Sequence, residues 1–349
     1  MDVGIKCCLD GSLRYSMLHC EVRGLDFLDC DCIGDVETKQ ELLQWASVFP
    51  DNEPLYHYTS PKGIESILRG NGTELRFTRI DCLNDVTEGN SITTYYENIC
   101  KQLLTNKDID GQFYHSIVDL LPKQELVFLY GSGLPVGADG IAYKDYYIAE
   151  YVTYVFCFSK HADSLPMWNY YLKEGKYEGY SLGFSTSELK NKFHYNSVRW
   201  DFISEFVVVE YDDCEKDDIL KDYIQALYRF REQDDPQLSR IKAAISRELF
   251  KWRYAFKPEC FSHEEEARLL IHVPLNEQKE SLASFTKRQL TFDDDNGIPK
   301  YIYAPLVDKT ALREITLSPL FEENKGFLSE LTGKGYAPNI NYSKIPIRF

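Results

Sequence analysis

The nine residues from Tyr151 to Ser159 constrain the fold of this chain more than any other feature of its sequence. They read YVTYVFCFS, so nearly every position carries a β-branched or aromatic side chain. Such side chains favour extended backbone, and a strand without polar alternation is buried on both of its faces. The sequence therefore predicts a central strand inside a larger structure.

The elements around this strand do not alternate in a regular order. Ser60 and Pro61 fit the N-cap and first position of a helix that follows a strand at 55–59, and a mostly helical stretch is expected from about 216 to 257. Further short strands are expected at 75–80, 179–185, 266–273, 301–306 and 313–317. This order predicts an α+β protein.

The balance of charges limits the partners of the chain. It holds 39 Lys and Arg against 55 Asp and Glu, a formal net charge of -16, which disfavours broad nonspecific binding to nucleic acids, although a local groove can still admit a nucleotide. No run approaches the roughly 20 apolar residues of a membrane span. The start of the chain has no apolar run that would serve as a signal peptide. We therefore expect a cytoplasmic protein without a membrane partner.

Half of the cysteines fall at the start of the chain. Neighbouring pairs such as Cys7 with Cys8 and Cys30 with Cys32 are too close together for the usual spacing of zinc ligands. Small buried hydrophobic residues are the simpler interpretation, and no metal site is predicted. Residues 1–54 are interpreted as a cysteine-rich N-terminal extension.

The strand expected at 266–273 carries charges on one face. Glu264, Glu266, Arg268 and His272 share a parity, so an extended backbone points them to one side and the apolar residues between them to the other. Such a strand can line a cleft, where Arg268 would lower the pKa of a neighbouring carboxyl group. The alternative is a half-exposed edge strand whose charges contact water.

The strand at 55–59 places a histidine between two tyrosines. His57 is expected on the face opposite Tyr56 and Tyr58, on the side of Leu55 and Thr59. An imidazole can donate and accept hydrogen bonds at once, which suits a ligand site. A satisfied core histidine fits the same pattern. The segment at 167–171 is likewise either core or a stacking platform.

These blocks resemble, in order, a bacterial family catalogued as domain of unknown function 2971, which is thought to be related to ADP-ribosyltransferases. The resemblance covers about residues 55–320. It rests on the blocks LYHYT at 55–59, Asn84-Asp85 with Glu88, FCFS at 156–159, MWNYY at 167–171, GYSLGF at 179–184, EEEAR at 264–268 and EITLSP at 314–319. Ala267 replaces the usual Trp of the family, and Ser318 replaces the usual Gly.

The resemblance implies an ADP-ribosyltransferase-like split mixed β-sheet core over residues 55–320, with inserted and flanking helices and a C-terminal tail, 321–349, packed on this domain. It implies NAD as the substrate, with Glu266, Glu264 and His57 as catalytic residues. The residues that it implies for binding NAD are His57, Tyr58, Thr59, Ser159, Trp168, Tyr171 and Arg268, with Trp168 or Tyr171 as the ring that stacks near the nicotinamide.

The implied activity is transfer of ADP-ribose from NAD to a protein or nucleic acid. This would suit a bacterial toxin or phage-defence effector that an antitoxin or another regulatory protein holds in check. Two alternatives remain open. One is NAD hydrolysis with water as the acceptor, and the other is a non-catalytic module that binds a nucleotide or a partner.

Overall fold

The structure is a computed structural model that describes residues 53–68, 73–83, 91–118, 125–130, 145–172, 178–193, 202–229, 251–282, 291–292, 297–306, 308–319, 321 and 325–346. Predictions for the N-terminal extension, for the Asn84–Asp85 turn and for residues 230–250 lie outside these ranges. Among the helices within them, none is both long and apolar enough to cross a membrane.

The described elements follow one another without regular alternation of helix and strand. The strands are β1 (Pro54–Thr59), β2 (Thr73–Arg79), β3 (Glu125–Tyr130), β4 (Asp145–Ser159), β5 (Tyr180–Ser185), β6 (Ile203–Val208), β7 (Glu266–Pro274), β8 (Thr291–Phe292), β9 (Tyr301–Leu306), β10 (Leu312–Leu317) and β11 (Asn339–Tyr342). The α-helices are α1 (Pro61–Ile67), α2 (Ser91–Asn106), α3 (Gly111–Ile117), α4 (Leu165–Tyr171), α5 (Thr186–Phe193), α6 (Asp213–Arg229) and α7 (Lys325–Gly333).

All of the described strands join one curled, mixed sheet that forms a half-barrel. One path through it runs β11-β10-β5-β1-β4-β2-β9-β8, while β7 pairs with β4 and β6 pairs with β7. The pairing of β10 with β11 is parallel, and the other pairings are antiparallel. The α+β class expected from the sequence is confirmed.

Strand β4 is the centre of this sheet. It pairs with β7 from Tyr151 to Ser159, and its other edge meets β1, β2 and β3. Val155 packs into one hydrophobic cluster and Phe156 into another, so both faces of the strand are covered. The prediction of a central strand at 151–159 is confirmed, because its β-branched and aromatic side chains fill both layers.

The two faces of the sheet pack against different helices. On the first face, which we call the α6 face, Val155 and Leu270 belong to a cluster with side chains of α2, α3 and α6. On the opposite face, which we call the α1 face, Phe156 and Leu269 belong to a cluster with side chains of α1 and α5. Each layer gains stability from the apolar area that it removes from water.

Strand β7 lies inside the sheet rather than at its edge, because β4 and β6 flank it and every residue from Glu266 to Pro274 is buried. The alternative of a half-exposed edge strand is therefore wrong. The alternation expected along the strand is confirmed. Glu266 and Arg268 lie on the α6 face, whereas Ala267 and Leu269 lie on the α1 face.

Part of the helical stretch expected from about 216 to 257 is seen in helix α6, and residues 230–250 lie outside the described ranges. At the far end of this stretch, residues 252–254 form a single 3-10 turn. The backbone after this turn bonds to Glu210 instead of continuing a helix. Glu210 N donates to Ala255 O, and Lys257 N donates to Glu210 O. These long-range bonds replace the bonds that a helix would make.

Candidate functional site

The sheet opens along one edge of β4. On this edge β1 pairs with β4 at Ser159, and β2 pairs with it at Tyr154 and Val155. The imidazole of His57 occupies the interval between the two pairings. Its Nδ1 lies 2.9 Å from the backbone oxygen of Cys157. In a continuous sheet, a backbone N–H of the neighbouring strand would donate to this oxygen.

A cleft lies at this opening and encloses about 240 Å³, including its open mouth. Strands β1, β4 and β7, helix α4 and the 3-10 helix Glu259–Glu264 supply its walls. The lining residues are Tyr56, His57, Tyr58, Cys157, Phe158, Ser159, Met167, Tyr171, Glu264 and Glu266. Six of the nine residues that the resemblance implies thus meet in one place, although they come from distant parts of the chain.

Glu266 is the first residue of β7, and its carboxylate stands between two cations. Arg268 Nη2 lies 2.8 Å from Glu266 Oε2, and Lys257 Nζ lies 3.1 Å from the same oxygen. The three side chains are buried, with exposed fractions of 4% for Glu266, 0% for Arg268 and 7% for Lys257. Both hydrogen bonds therefore converge on one oxygen of the carboxylate.

The surrounding charges decide the ionisation of Glu266. Burial alone would favour the neutral acid, but the nearby guanidinium of Arg268 and the ammonium of Lys257 lower the pKa of Glu266 to about 2. The same pairing acts in reverse on Lys257. Burial disfavours its charged form, yet Glu266 and Glu264 raise the pKa of Lys257 above its ordinary value. At neutral pH the pair is ionised.

Glu264 reaches the cleft by a different route from the one expected. It ends the 3-10 helix Glu259–Glu264, and Glu265 then turns the chain with a positive φ of 40° before β7 begins. Glu264 therefore does not lie on the strand. Its Oε2 nevertheless lies 2.6 Å from Lys257 Nζ. Burial raises the pKa of Glu264, Lys257 opposes this shift, and the negative charge of Glu266 adds to it.

His57 lies on the face of the sheet predicted from the sequence. Its ring packs against Phe156, with the ring centroids 4.2 Å apart, and Leu55 belongs to the same apolar cluster. Burial of the ring lowers the pKa of His57 to about 4, and the positive charge of Arg76 contributes to this shift. The imidazole is therefore neutral at pH 7. Because a carbonyl oxygen only accepts, Nδ1 carries the proton and Nε2 is left as an acceptor.

Helix α4 supplies an aromatic wall, and the structure separates the roles of its two candidate rings. Tyr171 lines the cleft, and 44% of its surface is exposed. Burial, together with the nearby Cys157 and Glu266, raises the pKa of Tyr171. Trp168 instead is fully buried under Tyr58, with the ring centroids 4.6 Å apart. Of the two rings, Tyr171 is the one placed to meet a ligand.

Asp163 holds Trp168 and the C-terminal segment together. Its Oδ1 accepts hydrogen bonds from Trp168 Nε1 at 2.7 Å and from Ser343 Oγ at 2.6 Å, and its Oδ2 accepts one from Lys344 N at 2.8 Å. Ile345 packs against the same small aromatic cluster. The chain after β11 thereby supports the helix that carries Tyr171.

Two further residues implied for NAD binding contact protein atoms instead of the cleft. Thr59 lies on the α1 face and packs against Gly63. A Cβ at position 63 would lie 2.1 Å from Thr59 Oγ1, so the threonine hydroxyl fills the space that a side chain there would need. Arg268 is fully buried, and its guanidinium donates to Glu266 and to the backbone oxygen of Tyr254. The resemblance implies both residues for NAD binding, and the packing around each places its side chain against protein atoms outside the cleft lining.

Several residues of the site carry no signal in the sequence. Lys257 lies in an irregular segment that no periodic pattern marks, within a stretch where the sequence predicts a helix. The sequence marks Cys157 only as part of a buried strand, yet it lies opposite Arg268 and beside Glu266, and burial together with that carboxylate raises its pKa. Tyr211 accepts a hydrogen bond from Glu266 N at 3.0 Å. No spacing in the sequence links Lys257 to Glu264 and Glu266.

A second polar cluster lies farther along the α6 face of β7. His272 Nε2 lies 3.1 Å from Glu205 Oε2, and its Nδ1 lies 2.9 Å from Thr153 Oγ1. Thr153 also bonds to Tyr254 OH, which bonds to Tyr151 OH. All five side chains are buried. We call this group the core cluster, and we call Lys257, Glu264, Glu266 and Arg268 the cleft cluster.

Comparison with known proteins gives a partial match. The family described as "Protein of unknown function (DUF2971)" matches residues 167–269, which run from helix α4 into the first half of β7. This region contains Tyr171 and the whole cleft cluster, whereas His57 and Ser159 lie before it. No curated protein and no solved structure shows significant similarity to the chain. The match agrees with the part of the resemblance that concerns this family.

Proposed function

We propose that the protein is an ADP-ribosyltransferase that cleaves NAD at the cleft between β1, β4 and β7. In this proposal it transfers ADP-ribose to a protein or nucleic acid acceptor, as a bacterial toxin or phage-defence effector under the control of a regulatory protein. The fold that the resemblance implies, a split sheet that clamps NAD, is part of the proposal. The opening of the sheet beside His57 supports it.

One observation carries the proposal, namely the ionised carboxylate of Glu266 on the wall of an open cleft. Arg268 and Lys257 both bond to Oε2, and they hold the pKa of Glu266 at about 2 against the effect of burial. We assign the other oxygen, Oε1, to the ligand. A fixed negative charge of this kind stabilises positive charge that develops next to it in a transition state.

The proposed reaction breaks the bond between C1′ of the nicotinamide ribose and the nicotinamide nitrogen. The electron pair of this bond leaves with nicotinamide, and C1′ becomes oxocarbenium-like. Glu266 accepts a hydrogen bond from the ribose 2′-hydroxyl and stabilises the positive charge. The acceptor then forms a bond to C1′ and gives up a proton, and we assign Glu264, the second carboxylate of the cleft lining, to accept it. The products are nicotinamide, the ADP-ribosylated acceptor and a proton.

The lining of the cleft offers groups for the nicotinamide riboside end of NAD. Tyr171 supplies a partly exposed ring for stacking, and the neutral His57 supplies an acceptor nitrogen.

The experiment that tests the proposal follows both products of the reaction. The protein is incubated with NAD labelled in its adenylate part, in separate mixtures with cell extract, total RNA and DNA. Released nicotinamide and label bound to macromolecules are measured for the wild type and for Glu266→Gln. Because one charge-stabilising group is removed, we expect the rate to fall by roughly 10² to 10³.

Glu265→Gln is the matched control. Glu265 is the adjacent residue, its side chain is half exposed, and it pairs with His161 outside the cleft, so this variant should keep the wild-type rate. Absence of nicotinamide release from the wild type would contradict the proposal. Release without label on any acceptor would indicate NAD hydrolysis. Binding of NAD without turnover in either protein, measured by calorimetry, would indicate a non-catalytic module.

A further inference from the structure

We propose that Lys257 is a positioning residue that holds Glu264 and Glu266 side by side as two ionised carboxylates in the cleft. This inference deepens the proposed function and rests on it. Nothing in the sequence pattern or in the family match assigns a role to Lys257. Its contacts place it between the two acidic residues that the reaction would use.

The geometry of Lys257 is that of a bridge. Its Nζ lies 2.6 Å from Glu264 Oε2 and 3.1 Å from Glu266 Oε2. The ammonium also lies 4.7 Å from the centroid of the Phe261 ring, an arrangement that favours a cation over an aromatic face. Since the side chain is 7% exposed, water screens these interactions only weakly.

The backbone fixes the position from which this ammonium reaches the cleft. Lys257 N donates to Glu210 O, and the preceding residue, Phe256, bridges to Glu210 as well. Glu210 lies two residues after the end of β6 at Val208. The backbone of Lys257 is thus fixed to the segment that follows β6.

The two carboxylates need a shared cation because they come from different elements. Glu264 ends a 3-10 helix, Glu266 starts β7, and the left-handed turn at Glu265 lies between them. Arg268 bonds to Glu266. Lys257 is the group that contacts both carboxylates, so it sets the position of Glu264 relative to Glu266.

The charges around the site show what removal of Lys257 would do. Cys157 of β4, Tyr171 of α4 and Tyr211 after β6 face the same carboxylates, and burial raises the pKa of each, so all three are neutral at pH 7. The other charges that act here are the two carboxylates themselves, the cations Lys257 and Arg268, and His263 of the 3-10 helix, which lowers the pKa of Glu264. Without Lys257, the two carboxylates would lose the cation that they share, and protonation of one of them would become easier.

The test uses Lys257→Met and Lys257→Arg, with Lys160→Met as the matched control. Lys160 is an exposed lysine beside the cleft residue Ser159. The pH dependence of nicotinamide release is measured for each variant. In Lys257→Met, we expect the pH of half-maximal rate on the acid side to rise by about one unit or more, because a neighbouring cation lowers a carboxyl pKa by roughly 1–3 units. Lys257→Arg should restore most of the profile, and the control should leave it unchanged.

A second measurement does not depend on turnover. The protein is labelled with ¹³C at the glutamate carboxyl groups, and NMR follows their titration, with Glu264→Gln and Glu266→Gln assigning the two signals. An upward shift of either pKa in Lys257→Met, with the shift reversed in Lys257→Arg, supports the positioning role even if NAD is not cleaved. Unchanged carboxyl titrations in a folded Lys257→Met protein would overturn it. Absence of turnover in the wild type would refute only the proposed function.

Discussion

Strand β7 carries two polar clusters on the same face, and they differ in access and in charge. The cleft cluster surrounds Glu266 at the start of the strand, beside the open mouth between β1 and β4. The core cluster surrounds His272 near the end of the strand, under the apolar layer that includes α2 and α6. The first joins two carboxylates to two cations, and the second joins the carboxylate of Glu205 to the imidazole of His272 and to a chain of hydroxyl groups.

This difference teaches that a polar strand face does not by itself indicate a functional site. The same alternation placed Glu266 and His272 on one side of β7. The two positions differ in the chain segments that pack over them, and the periodicity of the sequence carries no information about this packing. Where the covering layer ends, a buried charge pair becomes the wall of a cleft. Where the layer continues, a polar network serves to satisfy buried groups and to fix the packing.

The largest expected effect concerns the stability of the core cluster. Glu205→Ala removes the carboxylate that lies 3.1 Å from His272 Nε2, where both side chains are buried. Breaking a buried pair by removing one partner costs about 3–5 kcal/mol. Urea unfolding should show this loss in the free energy of unfolding. Asp218→Ala, on the exposed surface of α6, is the control and should change it by less than about 0.5 kcal/mol.

The comparison would break if Glu205→Ala left stability unchanged but abolished NAD cleavage in the folded protein. The core cluster would then act on the reaction, and the division between a structural and a functional cluster would be wrong. We expect the opposite result, in which the folded fraction of Glu205→Ala keeps the wild-type rate.

The next effect concerns the acid stability that the cleft cluster provides. The pKa of Glu266 is about 2 in the folded protein, against about 4.3 for an ordinary glutamate. A depressed pKa contributes stability that is fully present above about pH 4 to 5 and is lost as the pH falls through about 2. The difference corresponds to about 3 kcal/mol.

Denaturant unfolding of the wild type and of Glu266→Gln between pH 6 and pH 3 would measure the part of this contribution that is lost above pH 3. The wild type should lose stability toward the acid end, and Glu266→Gln should lose less, since it has no carboxyl group at this position to protonate. Glu265→Gln should follow the wild type because its partner His161 is half exposed. Parallel curves for the wild type and Glu266→Gln would show that the two cations do not stabilise the carboxylate.

The sequence predicted the layers of this fold better than it predicted the site. The residue types of one segment located the central strand at 151–159, because a strand with so many large apolar side chains is buried on both of its faces. The alternation of polar and apolar residues located the polar face of β7, because successive side chains of a strand point to opposite faces. In both cases the information is local, and periodicity expresses it directly.

The site depends on contacts between distant segments, which periodicity does not express. Lys257 reaches Glu266 through a bond of its backbone to Glu210, and no spacing rule links these positions. Thr59 has the right position on its strand but packs against Gly63 of the next helix. Trp168 has the right type for stacking, yet a hydrogen bond to Asp163 fixes it in the core. Long-range packing decided each of these cases.

A smaller effect compares two hydroxyl groups on the α6 face of β4. Thr153→Val removes the hydroxyl that contacts both His272 and Tyr254 in the core cluster, and buried polar groups that lose a partner cost about 1–3 kcal/mol. Ser159→Ala removes an acceptor for His161 N at the cleft, which costs about 1 kcal/mol. We expect Thr153→Val to lower thermal stability more, and Ser159→Ala to lower the rate of NAD cleavage more.

Both readouts are needed for this pair. Thermal melts give the order of the two stabilities, and nicotinamide release at a temperature where both variants are folded gives the order of the two rates. If the variant with the larger loss of stability also has the larger loss of rate, the clusters differ in burial but not in role. Opposite orders in the two measurements would sharpen the comparison.

The smallest effect concerns the aromatic wall of the cleft. Tyr171 is 44% exposed, so Tyr171→Ala should leave the melting temperature nearly unchanged while it removes the ring available for stacking. Aromatic stacking is worth about 0.5–1.5 kcal/mol, which corresponds to a loss of NAD affinity of about twofold to twelvefold. Tyr342→Ala is the matched control, because Tyr342 is 54% exposed on the edge strand β11 and does not line the cleft. Calorimetric titration of both variants with NAD decides the point, since equal affinities would place the ligand away from helix α4.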